Sequence, residues 1–99
     1  MDFQEFEASL SRKDPPEGLT RVLQALWYEA KGDWARAHQI VQELPSAPAA
    51  WVHAYLHRKE GDTGNASYWY SRADRQRSSL SPQTEWQTIV TELLSHETE

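Results

Sequence analysis

Two Gly-Asp pairs, Gly32-Asp33 and Gly61-Asp62, lie 29 residues apart, each flanked by apolar residues at helical spacing. This doubled corner restricts the chain more than any other feature. Glycine adopts the left-handed angle that closes a helix at little cost, and aspartate caps the helix that follows. In the same register Ala25 matches Ala54, Tyr28 matches His57, Ala37 matches Ala66 and Val41 matches Tyr70. Alanine on both arms lets two helix backbones approach closely. Helix, corner and helix, repeated, make a supersecondary unit that stacks on its neighbour.

The remaining periodicity fills in around these corners. Phe3, Phe6 and Leu10 share a helical face, and Asp2 with Glu5 forms a capping pair at its start. Lys13-Asp14-Pro15-Pro16-Glu17-Gly18 then breaks the chain. Leu19, Val22, Leu23, Leu26, Trp27 and Ala30 mark an amphipathic helix to Lys31, and Trp34, Ala37, Ile40, Val41 and Leu44 mark the next. After Pro45-Ser46-Ala47-Pro48, Trp51, Val52, Tyr55 and Leu56 carry a fourth helix to Glu60. Ala66, Trp69, Tyr70 and Ala73 carry a fifth to about Arg75. Ser81-Pro82 reads as a cap with proline at the first helical position, opening the stripe Trp86, Ile89, Val90, Leu93 and Leu94. No alternating strand pattern occurs. The expected fold is one all-α domain over 1–99, about six helices in antiparallel hairpins. Its repeat units fall at about 19–44 and 48–75, with capping helices at about 2–11 and 82–96. The two caps are expected to cover opposite ends of the stack, because solenoid units cannot bury their faces alone.

This pattern resembles the tetratricopeptide repeat. Tyr28, Gly32-Asp33-Trp34, Ala37 and Val41 stand at that family's aromatic, turn, alanine and large apolar positions, and Gly61-Asp62, Ala66, Tyr70 and Ala73 follow the same spacing. Trp69-Tyr70-Ser71-Arg72-Ala73 is similar to the ending of shorter repeats of this kind. The likeness covers roughly 19–73. It departs from the family in lacking the Trp-x-x-Leu-Gly start, with Gln24-Ala25 in place of Leu-Gly, and in its 29-residue period against the usual ~34. The segment His53 to Asp62, with Asn65 and Tyr68-Trp69-Tyr70, also resembles small bacterial proteins without an assigned activity. The resemblance implies a helical-repeat fold, and a peptide groove lined by one face of each unit's first helix.

Charge and composition exclude several function classes. Ten Lys and Arg against fifteen Asp and Glu give a net charge of −5, which disfavours nucleic acid, whose phosphates need surplus cations on one face. No run approaches the ~18 apolar residues of a membrane span. The first ten residues lack the cationic start and apolar stretch of a secretory signal, and Met1 fits the start of a whole small protein. The absence of cysteine removes disulfides, thiol catalysis and thiolate metal sites, and fits a reducing, cytoplasmic setting. The four glycines are scattered, so there is no phosphate-cradling loop, and no nucleophile elbow occurs. No catalytic residues and no cofactor are expected.

Binding is the class that remains. Trp51, Tyr55, Arg58 and Lys59 share a stripe of the fourth helix that the resemblance places on the groove, and aromatics with arginine compose interface hot spots. The ordinary alternative is that Trp51 and Tyr55 are core and Arg58 a solvated surface residue. Tyr68 falls off the apolar stripe of the fifth helix and is a candidate exposed contact; Asn65 completes a cap. The expected binding residues are therefore Trp51, Tyr55, His57, Arg58 and Tyr68. Arg58, Lys59, Arg72, Arg75 and Arg77 outnumber the acids of their region, so an acidic peptide or protein is the expected partner. A homodimer is the other, because two repeats are few for a stable stack. A competing reading places a small ligand or metal, with possible enzymatic use, on His53, His57 and Glu60, which stack on one helix face over two turns. Hydrogen-bonded structural histidines are the plain alternative to it.

Overall fold

A computed structural model describes residues 1–97. It contains six helices among these residues and no strand: α1 (Phe3–Ser9), α2 (Arg21–Ala30), α3 (Trp34–Gln42), α4 (Ala47–Glu60), α5 (Thr63–Arg72) and α6 (Pro82–Glu97). The all-α architecture is the one read from periodicity.

Local chemistry sets the boundaries. Asp2 accepts the Glu5 backbone N–H at 2.8 Å while Glu5 accepts that of Asp2 at 3.2 Å, a complete capping box. Leu19, expected inside α2, precedes it, because Thr20 is the cap and accepts the Leu23 N–H at 3.3 Å; Leu19 is buried nonetheless. The proline break before α4 belongs partly to that helix. Ser46 caps it, and Pro48 sits in the first turn, where a missing donor costs nothing.

The two Gly-Asp corners are built identically. Asp33 N–H donates to the Tyr28 carbonyl and Gly32 N–H to that of Glu29, both at 2.9 Å; Asp62 donates to His57 at 2.9 Å and Gly61 to Arg58 at 3.1 Å. Gly32 has φ of 92° and Gly61 of 91°, the left-handed angle of this helix ending. Asp33 and Asp62 then cap α3 and α5. Asn65 bonds Asp62 through both its backbone and its side-chain amide, as a capping residue.

α4 lies at the centre. Every residue from Ala49 to His57 is buried, because α2, α3, α5 and α6 all pack on it. A helix enclosed on all sides carries no free stripe. The terminal helices also depart from expectation, for they meet each other. α6 folds back over α4 and α2, so that Trp86 donates to the Leu26 carbonyl at 3.2 Å and packs 5.8 Å from Phe3 and 6.0 Å from Phe6. With only two hairpins to cover, one long helix buries its apolar face across both and still reaches α1.

Candidate functional site

The five expected binding residues divide between two sides of α4. Trp51, Tyr55 and Arg58 belong to the side enclosed by α2 and α6. Trp51 is buried beneath the Arg75 guanidinium, 3.5 Å from the ring centroid. Tyr55, 1% exposed, donates its hydroxyl to Glu29 of α2 at 3.3 Å. Arg58 binds Glu85 of α6 at 2.7 Å and the Leu80 carbonyl. The stripe assigned to a groove is therefore occupied by the chain's own groups: Arg75 over Trp51, Glu29 of α2 at Tyr55 and Glu85 of α6 at Arg58.

Two buried carboxylates organise that side, and neither stood out in the sequence. Glu85 receives Arg58 and the Tyr70 hydroxyl, the latter at 2.5 Å; Glu29 receives Tyr55 and Lys59. Burial and the adjacent carboxylates raise the ionisation of Tyr55 and Tyr70 far above the ordinary phenol range, so both hydroxyls stay protonated and donate. The carboxylates are thus satisfied within the fold.

His57 and Tyr68 belong to the other side, where α3, α4 and α5 meet. Here His38 of α3, absent from the sequence reading, joins His53 and His57. The His38 and His53 Nε2 atoms are 3.1 Å apart, and the His53 and His57 rings stack at 5.0 Å. One ligand nitrogen from each of the three lies within 4.8 Å of the others. Glu60 does not join His53; its carboxylate instead holds His57 Nδ1 at 2.6 Å. Trp34 stacks on His38 at 4.9 Å with its indole N–H fixed to the Leu56 carbonyl at 2.8 Å. Trp69 stacks on His53 at 3.9 Å. His53 is 4% exposed, yet its Nδ1 has no hydrogen-bond partner among the described residues. An unmet buried polar atom costs about 1–3 kcal/mol. Burial first, and the neighbouring imidazoles second, push His53 down to about 4 and lower His38 as well, so both rings are neutral at pH 7.

The antiparallel run of α3 and α4 is the signal that finds His38. From the turn between them, Trp34 meets His57 and, four residues nearer the turn on both helices, His38 meets His53.

Outward from this cluster, Tyr68 is 51% exposed and stands edge-on to Trp69 at 5.1 Å. The Arg72 guanidinium lies 5.8 Å and 5.6 Å from these two rings and donates to the Tyr68 hydroxyl at 2.9 Å. Of the five cations expected to attract an acidic partner, Arg58, Lys59 and Arg75 are engaged by Glu85, Glu29 and Glu92. Arg72 and Arg77 have no ion pair among the described residues. No helix described is long and apolar enough to cross a membrane. Comparisons with protein-family models, curated proteins and solved structures return no match.

Proposed function

We propose that the chain is a tetratricopeptide-like binding module without catalytic activity, and that it takes an acidic segment of a partner protein on the outer face of α5. The observation that carries this reading is the Tyr68–Trp69–Arg72 group: two aromatic rings, one of them half-exposed, beside an arginine that pairs with no carboxylate among the described residues. Rigid aromatics and arginine dominate interface energetics because they bury area and still offer directed hydrogen bonds. Arg72 offers a forked donor to a partner carboxylate. The engagement of Trp51, Tyr55 and Arg58 by Arg75, Glu29 and Glu85 moves the contact from the groove to this face.

The test is a peptide array weighted toward acidic sequences, followed by titration of whatever binds. Tyr68→Ala and Arg72→Glu are expected to weaken a recovered peptide by about tenfold or more each, roughly 1.4 kcal/mol, with an unchanged melting temperature because both side chains are exposed. Unchanged binding in both variants removes this face from the interaction.

A further inference from the structure

We propose that His38, His53 and His57 form a binding site for one divalent transition-metal ion of the zinc class, with the fourth coordination position open.

The donor geometry comes first. A zinc ion holds imidazole nitrogens at about 2.0–2.1 Å, so two ligand atoms of a tetrahedral site stand about 3.3 Å apart. The His38 and His53 Nε2 atoms are already at 3.1 Å. The third ring brings a nitrogen within 4.8 Å of both, so the three donors must draw closer together to hold one ion. Spacing of four residues on α4 puts His53 and His57 on one face, and the α3–α4 hairpin delivers His38 to it.

The surroundings fit the same use. Glu60 accepts the His57 Nδ1 proton at 2.6 Å, which leaves the Nε2 lone pair for an ion and makes the ring a better donor. Trp34 and Trp69 lie flat on His38 and His53 and hold the planes of these rings. In the metal-free chain one Nε2 proton bridges His38 and His53; on binding, that proton moves to Nδ1 of the same ring and both Nε2 lone pairs face the ion. No electron is transferred.

The ligand set selects the ion. Three imidazoles suit zinc, nickel or copper, whereas magnesium and calcium require oxygen donors that are absent from this set. The site shares Trp69 with the α5 partner face but takes its three donors from α3 and α4. A failure of either reading leaves the other standing, since one is read with zinc alone and the other with a peptide.

The experiment is titration of the full, chelator-treated chain with ZnCl2, followed by calorimetry, metal analysis after desalting and Trp fluorescence. One zinc per chain is expected, with a rise in melting temperature and a change in emission as the stacked indoles report on the rings. His38→Gln, at a half-buried position, is expected to weaken binding by about a hundredfold and to fold as the parent does by circular dichroism. His96→Ala, outside the cluster, leaves zinc binding unchanged, and MgCl2 at the same concentration produces no shift. Absence of stoichiometric zinc at 100-fold excess overturns the proposal. So does equal uptake by His38→Gln, loss of uptake in His96→Ala, or an equal response to magnesium.

Discussion

Arg58 Nη1 meets Glu85 Oε1 at 2.7 Å and ties the central helix to the last one across 27 residues of sequence. The Glu85 side chain is 3% exposed, and Tyr70 completes its hydrogen bonding. On the neighbouring helix Glu29 is held the same way by Tyr55 and Lys59. α4 therefore supplies donors to two buried carboxylates, one on α2 and one on α6. Removing one partner of a buried pair leaves the other charge uncompensated, a larger loss than the pair's own net worth.

Arg58→Ala is accordingly expected to destabilise the chain by about 3 kcal/mol, read from urea unfolding. Lys59→Ala leaves Glu29, also 3% exposed, with Tyr55 as its remaining donor and is expected to destabilise in the same direction. An Arg58→Ala variant as stable as the parent contradicts the role given to Glu85.

The repeated corners make a paired prediction. An added Cβ at Gly32 or Gly61 meets no atom within 4 Å, so the only penalty for alanine is the left-handed backbone angle. Gly32→Ala and Gly61→Ala should each lose about 1–2 kcal/mol, and by similar amounts. A large difference between them in thermal or chemical unfolding shows that the two corners are not equivalent.

Acid should act on the histidine cluster before it reaches the carboxylates. Unfolded His53 takes its proton near 6.5, whereas the folded ring, desolvated and facing His38 of α3 and His57 of α4, does so only near 4. Between these values the unfolded chain binds more protons, so stability rises with pH. The contribution is complete above about 6.5 and is lost as pH falls toward 4. Glu60 and Asp62, both beside His57, and Arg72, above Trp69, are charged groups near the cluster. With chelator present, the loss from pH 7 to pH 5 is expected to be about 2 kcal/mol from His53, with His38 acting in the same direction. His53→Gln flattens that slope. An equally steep slope in this variant assigns the acid sensitivity elsewhere.

The helices, both corners and the caps at Asp2, Asp33, Asp62 and Ser81 were legible because each depends on residues within four positions of one another. Tyr68 was legible for the same reason: it falls off a local stripe. The fate of Trp51, Tyr55 and Arg58 was not, since it depends on which helix α6 chooses to cover, a choice made by Trp86 and Glu85 through contacts distant in sequence. Nor does composition announce that Glu29 and Glu85 are interior, because acidic residues are usually solvated. His38 was hidden in a different way. It shares no helix with His53 and His57, and only pairing α3 against α4 brings the three together.

That pairing is what the candidate site rests on, and proton NMR reads it without any ligand. Cross-relaxation peaks are expected between the ring protons of His38 and His53, whose centroids are 4.7 Å apart, and between those of His53 and Trp69 at 3.9 Å. Assigned spectra in which His53 shows neither contact, and in which His38 meets only solvent, contradict the arrangement of α3, α4 and α5 described above.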